Sequence, residues 1–145
     1  MTAIWWIRRD LRLHDNPTLH AALEAGKVIP VFVFDPVLLA EAGSRRVDFL
    51  FKSLRALDDE LRSKGSRLIV RHGDPVEMLQ KLVSESGATT VFAEEDFTPY
   101  ARQREKRVGQ QVPLELIQGQ LVHHPEDILT QAGTPYKVYT PYSKT

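Results

Sequence analysis

The sequence contains no cysteine among its 145 residues. This absence excludes disulfide bonds and thiolate metal centres, and it suits a reducing compartment. Positive charge is not in excess either, because 19 lysines and arginines balance 19 aspartates and glutamates. Binding to a phosphate backbone depends on such an excess, so the composition argues against direct binding of DNA by this chain.

Long apolar runs and glycine-rich loops are also missing. Arg8 and Arg9 interrupt the short apolar run at the N-terminus, so we expect neither a membrane span nor a signal peptide, but a cytoplasmic protein.

No segment has the spacing Gly-x-Gly-x-x-Gly, and no glycine precedes Gly26. A site for the pyrophosphate of a dinucleotide is therefore not indicated.

Strand-like and helix-like segments alternate along the chain. We predict strands near residues 3–9, 28–34, 67–72, 90–95 and 114–118. Such alternation is typical of a parallel sheet covered by helices on both faces. The length and the 42% apolar content suit one domain. The predicted fold is α/β, a Rossmann-like, doubly wound, five-stranded parallel sheet in the order 3-2-1-4-5.

Three helix starts are marked by a capping residue followed by proline. They are Asn16-Pro17, Asp74-Pro75 and Thr98-Pro99. The longest helix is predicted from about Ser44 to Lys64, with one buried apolar stripe. This stripe consists of Val47, Leu50, Phe51, Leu54, Leu57 and Leu61. In the first strand, Trp5 and Trp6 are interpreted as core residues.

Charged residues follow the two strands that flank the predicted switch point of the sheet, where open α/β sheets bind ligands. These segments are Arg8-Arg9-Asp10 and Glu94-Glu95-Asp96. Carboxylates accept hydrogen bonds from the ring N–H groups of a pterin or deazaflavin, and arginines donate to its carbonyl groups. Three neighbouring carboxylates repel phosphate. The pattern favours a flat heterocycle, with Phe32 and Phe34 as an apolar wall.

Other polar residues have structural interpretations. His123 and His124 lack a third ligand at a suitable spacing, so we interpret them as a surface loop rather than a metal site. Glu94 and Glu95 are interpreted as solvated strand ends. A solvated face or a patch between domains is expected for Arg102, Arg104, Lys106 and Arg107. A structural ion-pair cluster remains an alternative to a ligand site for Arg8, Asp10 and Arg12.

The opening segment resembles the N-terminal signature of the DNA photolyase and cryptochrome family. It joins a hydrophobic strand to Arg8-Arg9-Asp10-Leu11-Arg12 and then to Asp15-Asn16. Further matches follow in the same order over essentially the whole chain, at Asp35-Pro36, residues 44–50, Glu95-Asp96, Pro99-Tyr100 and residues 133–142. The resemblance implies an N-terminal antenna domain at residues 1–130. Residues 131–145 would begin a linker toward a helical domain that holds FAD and binds damaged DNA.

The resemblance also implies a light-harvesting chromophore. The family's deazaflavin and flavin binders hold the ring in a groove, at positions that correspond to Arg9, Phe32, Arg46, Asp96 and Thr98. Thr98 departs from the family pattern, which has a glutamate there. The Asn-Glu pair of folate binders is missing at the matching place. 8-Hydroxy-deazaflavin, FMN or FAD is therefore favoured over methenyl folate, and an empty groove remains an alternative.

The implied parent enzyme is a deoxyribodipyrimidine photo-lyase, which splits pyrimidine dimers by light-driven electron transfer from FAD. The chain itself has no Ser-His-Asp arrangement, metal-ligand set or Walker loop, so we do not expect catalysis by this chain alone. Three alternatives remain at this point: a cryptochrome-type photoreceptor, a nucleotide-binding protein of the universal-stress type, and a structural brace for a helical domain.

Overall fold

A computed structural model of the chain describes residues 1–119 and 121–144. Its strands are β1 (Thr2–Ile7), β2 (Lys27–Phe34), β3 (Ile69–His72), β4 (Thr90–Glu94) and β5 (Leu114–Ile117). Its helices are α1 (Pro17–Ala25), α2 (Pro36–Glu41), α3 (Ser44–Ser63), α4 (Pro75–Ser86), α5 (Pro99–Gly109) and α6 (Tyr139–Tyr142). The strands form one parallel sheet in the order β3-β2-β1-β4-β5, which confirms the predicted fold class and strand order.

Local capping explains where the helices begin. Asn16 accepts a hydrogen bond from the backbone N–H of Leu19 at 2.9 Å, and a proline occupies the next position. Asp74 and Thr98 cap α4 and α5 in the same way, as predicted. Asp35 caps α2, a short helix that the sequence analysis did not predict. Each of these caps follows the carboxyl end of a strand, so all four helices leave the same edge of the sheet.

The central strand β1 divides the core into two halves. Its side chains alternate between the two faces of the sheet. Trp5, fully buried, packs on the side of α1 and α3, whereas Trp6, 1% exposed, packs on the side of α4 and α5. The prediction that both tryptophans are core residues is confirmed. The two halves of the core thus meet opposite faces of β1.

The predicted stripe of α3 is buried only toward its carboxyl end. Leu54, Leu57 and Leu61 are buried, but Phe51 is 52% exposed and stacks on Phe34 with ring centroids 5.1 Å apart. A helix of 20 residues is about 30 Å long, whereas the four residues of β3 span about 13 Å. The first turns of α3 therefore extend past the carboxyl edge of the sheet. The prediction of one continuous buried stripe is wrong at Phe51 for this reason.

The segment after β5 is mostly exposed and contains α6 and one isolated bridge between Leu129 and Pro135. The proposed boundary between a domain at 1–130 and a linker at 131–145 remains a prediction. Gln120 and Thr145, which fall within those two segments, lie outside the described residues. In the part of the chain that the structure describes, no helix combines the length and apolar character needed to cross a bilayer.

Candidate functional site

A cavity of about 550 Å³ lies at the carboxyl edge of the sheet, where the ends of β1 and β4 separate. This is the switch point that the predicted strand order indicates. The cavity is lined by Arg8, Arg9, Glu94, Glu95, Asp96, Phe97, Thr98, Gly119 and Leu121. Three segments thus form its walls: the end of β1, the loop from β4 to α5, and the chain that follows β5.

Arg9 and Asp96 form an ion pair at the wall of this cavity. The side chain of Arg9 is 73% exposed, that of Asp96 only 12%, and Arg9 Nη1 lies 3.6 Å from Asp96 Oδ1. The same oxygen accepts the backbone N–H of Thr98 at 3.0 Å. Burial raises the pKa of Asp96, but the hydrogen bond from Thr98 and the charges of Arg9 and Arg8 outweigh it and leave that pKa below its usual value. Asp96 is therefore an ionised acceptor at neutral pH.

The cavity brings together three of the five predicted binding residues, Arg9, Asp96 and Thr98. Phe32 is buried in the core on the α3 side and makes an edge-to-face contact with Phe34 at 5.1 Å. Arg46 is exposed in the first turn of α3 and is not among the described residues that line the cavity. Ligand contact by all five residues remains a prediction.

Asp10 has a structural role at the end of β1. Its buried carboxylate accepts hydrogen bonds from Trp5 Nε1 at 2.9 Å, Asn16 Nδ2 at 3.2 Å and the backbone N–H of Arg8 at 3.1 Å. Arg12 instead donates to the carbonyl groups of two residues in the turn before α1. Asp10 therefore ties the end of β1 to the start of α1, while the guanidinium of Arg8 pairs with Glu105.

The chain after β5 folds back against the loop from β4 to α5. His124 is 22% exposed in its side chain, and its Nε2 lies 3.3 Å from Glu95 Oε2. Its ring meets that of Phe97 edge to face at 5.2 Å. His124 thus lies in a loop, as expected, but this loop packs on the end of β4, and Glu95 is only partly solvated there. Among the described residues, no three His, Cys, Asp or Glu side chains are grouped as metal ligands.

Gly119 allows this close approach. A Cβ atom at position 119 would collide with the carboxylate of Glu94. We expect Gly119→Ala to displace the Glu94 side chain from the cavity wall while changing the free energy of unfolding by less than about 1 kcal/mol, because both residues lie near the surface. Amide chemical shifts in NMR spectra should change in residues 94–97 and near Leu121.

Gly43→Ala is the matched control for this substitution. Gly43 has an ordinary negative φ, and a Cβ atom there would meet nothing within 4 Å. Chemical-shift changes confined to residues next to position 119, with residues 94–97 unaffected, would contradict the predicted displacement.

Two charged residues of α5 are buried, and the sequence analysis placed one of them, Arg104, on a solvated face or a patch between domains. Arg104 is 6% exposed, lies 3.3 Å from Asp35 Oδ2, and stacks over Trp6 at 5.3 Å. Glu105 is also 6% exposed and pairs with Arg8 Nη2 at 2.7 Å. The expectation of a solvated face at Arg104 is wrong. Helical spacing from Ala101 and Val108, both buried, would have placed Arg104 and Glu105 on the inner face.

Comparison with known proteins yields consistent matches. The sequence profile of the DNA photolyase family matches residues 3–145. A deoxyribodipyrimidine photo-lyase of Agrobacterium fabrum is 37% identical over 145 residues, which cover 96% of this chain and 30% of that protein. The chain spans 30–52% of the length of the first curated relatives that it matches.

Two solved structures show the same arrangement. A bacterial class III photolyase from Agrobacterium tumefaciens is 37% identical, superposes with a TM-score of 0.86, and is matched over 97% of this chain and 30% of its own. An archaeal photolyase from Sulfolobus tokodaii is 31% identical with a TM-score of 0.81, over 99% of this chain and 34% of its own. That structure is described as holding two FAD molecules, with the implication of a novel light-harvesting cofactor.

Proposed function

Because the chain belongs to the DNA photolyase family, we propose that its cavity at the switch point binds a light-harvesting chromophore for a photolyase. The chain corresponds to the N-terminal antenna domain of that family. The observation that carries the proposal is the ion pair of Arg9 and Asp96 on the wall of a cavity of about 550 Å³. This volume falls within the range of small-molecule sites, about 300–1,000 Å³. The family match does not favour the alternative of a nucleotide-binding stress-type protein.

The donor set favours a flavin or deazaflavin ring. The Asp96 carboxylate is suited to accept a ring N–H, and the exposed guanidinium of Arg9 is suited to donate to ring carbonyl groups. Thr98 has a hydroxyl in place of a carboxylate, and this hydroxyl caps α5 by accepting the N–H of Ala101 at 3.4 Å. The FAD molecules of the Sulfolobus tokodaii photolyase support a flavin-type ligand, although they are a property of that protein.

The charge of the cavity wall helps to rank the flavin and deazaflavin ligands. Arg8 is already paired with Glu105, so Arg9 is the cation at the cavity wall that faces solvent, opposite Glu94, Glu95 and Asp96. A negative wall of this kind disfavours phosphate groups close to the ring. We therefore propose 8-hydroxy-deazaflavin as the preferred ligand, followed by FMN or FAD with their phosphates outside the cavity. Methenyl folate is the least favoured.

The test is titration of the purified chain with 8-hydroxy-deazaflavin, FMN, FAD and methenyl folate, followed by absorption and fluorescence. We expect one of the first three to bind with about one molecule per chain. Asp96→Asn should lose about tenfold in affinity, the effect of one charge-assisted hydrogen bond. Asp59→Asn is the matched control, because Asp59 is exposed on α3. Equal affinity in both variants, or no retained chromophore, would count against the proposal.

We propose that this domain serves a longer protein that splits pyrimidine dimers by light-driven electron transfer from FAD. The names of the relatives support this activity, and their additional length leaves room for a helical FAD domain. Damaged DNA would bind to that domain, since the present chain has no net positive charge. Excitation energy collected at the cavity would pass to the FAD.

A further inference from the structure

We infer that Glu105 is a positioning residue of the ligand site, which holds Asp96 opposite Arg9 without lining the cavity. The inference rests on the proposed function, because it concerns the same site. Glu105 lies on the inner face of α5, and its side chain is 6% exposed. It is not among the described residues that line the cavity, so it has no direct route to a ligand.

One carboxylate oxygen of Glu105 joins two walls of the cavity. Glu105 Oε1 accepts the backbone N–H of Asp96 at 3.1 Å and lies 2.7 Å from Arg8 Nη2. The same nitrogen of Arg8 donates to the backbone carbonyl of Glu94. The end of β1, the end of β4 and the following loop are therefore tied together at one buried point. Charge-assisted hydrogen bonds of this kind are stronger and shorter than neutral ones.

The position of the Asp96 backbone determines where its carboxylate lies. Asp96 follows the last residue pairs of the sheet, since the backbone N–H of Glu95 still donates to Ile117 at 2.9 Å. The next N–H, that of Asp96, bonds to the Glu105 side chain instead of a strand. Glu105 thus replaces the strand partner at the point where the chain leaves the sheet. The carboxylate of Asp96 then turns back to the N–H of Thr98 and toward Arg9.

The Glu105 and Arg8 pair also determines the charge that a ligand meets. Both side chains are 6% exposed, so each charge is compensated by the other in a poorly solvated environment. Removing the carboxylate leaves the Arg8 guanidinium free to compete with Arg9 for Asp96. The expected result is a displaced Asp96 carboxylate and a weaker ligand site.

The first experiment needs no ligand. Hydrogen exchange of the amides of Asp96 and Thr98 is measured by NMR in the full chain, in Glu105→Ala and in Glu105→Gln. We expect faster exchange at both amides in each variant, with the smaller change in Glu105→Gln, which keeps an acceptor oxygen. Asp96→Asn should speed exchange at Thr98 and leave the backbone amide of position 96 protected by Glu105. Glu115→Gln, on the exposed side of β5, is the matched control.

Unchanged exchange at Thr98 in the Glu105 variants would overturn the inference. If Glu105→Ala does not fold, Glu105→Gln decides the question by the same criterion, because it preserves the volume of the side chain. This result does not depend on whether a chromophore binds, so it is independent of the proposed function.

The second experiment is a double-mutant cycle on the affinity for 8-hydroxy-deazaflavin. Glu105→Gln alone should lose about tenfold in affinity. In the Asp96→Asn background, the same substitution should cause no further loss, because Glu105 acts through Asp96. Equal losses in both backgrounds would indicate a general structural role and overturn the inference. If the wild-type chain binds no tested chromophore, the proposed function fails, and the amide exchange still tests Glu105.

Discussion

Trp6→Ala should lower the free energy of unfolding by about 3–5 kcal/mol, the usual cost of removing a buried aromatic side chain. Trp6 is 1% exposed, and its ring lies against two guanidinium groups, at 4.8 Å from Arg8 Cζ and 5.3 Å from Arg104 Cζ. Nε and Nη1 of Arg8 and Nε of Arg104 have no hydrogen-bond partner among the described residues. The indole face is the surface that compensates for their burial. Urea denaturation gives the measurement.

Trp6→Phe is the control, because it keeps an aromatic face of smaller area. We expect a clearly smaller loss of stability than in Trp6→Ala. Equal losses in the two variants would mean that the smaller aromatic ring recovers none of the lost stability, which would contradict the compensating role given to the ring face.

Asp35→Ala should lower the free energy of unfolding by about as much as Trp6→Ala, since it removes one partner of a buried ion pair. Asp35 is 4% exposed; it accepts a hydrogen bond from the Tyr100 hydroxyl at 2.6 Å, pairs with Arg104 at 3.3 Å, and caps α2. Breaking a buried pair from one side costs about 3–5 kcal/mol, because the remaining charge stays buried without compensation. Burial and then the charge of Arg8 already lower the pKa of Arg104. Thermal and urea unfolding both measure the loss.

Two further variants separate the contributions of this cluster. Burial and the hydrogen bond to Asp35 raise the pKa of Tyr100 to about 12, so its hydroxyl remains a donor at neutral pH. Tyr100→Phe removes that hydrogen bond alone and should cost about 1 kcal/mol. Arg104→Met combined with Asp35→Ala should recover part of the stability lost in Asp35→Ala. No recovery in this double variant would contradict the buried-charge explanation.

The starts of α1, α4 and α5 were predictable because their signals are local, and the strand order was predictable because few topologies suit an alternating chain. A capping residue followed by proline fixes a helix start within a few residues, as at Asn16 and Thr98. Alternating strand and helix segments leave few topologies for a parallel sheet. The switch point, and with it Arg9 and Asp96, follows from that topology.

What the sequence analysis missed depends on partners distant in the chain. Arg104 is buried because it pairs with Asp35 and stacks over Trp6. Each of these two residues lies outside α5, on another part of the fold. His124 is held by Glu95, 29 residues earlier. Phe51 is exposed because α3 is longer than the neighbouring strands. Helical spacing from Ala101 and Val108 indicates the inner face for Arg104, but no spacing within one helix or loop identifies its distant partners or those of His124, which are set by tertiary packing.

The two consecutive arginines after β1 have the same chemistry and opposite surroundings. Arg8 continues the side of Trp6 and is enclosed with Glu105, whereas Arg9 continues the side of Trp5 and reaches solvent. Their spacing from β1, not the residue type, encloses Arg8 in the scaffold and leaves Arg9 exposed at the cavity wall. A one-residue insertion or deletion in β1 would exchange these assignments while leaving the Arg-Arg motif intact. A match to this motif in another sequence is therefore informative only together with the spacing from the strand before it.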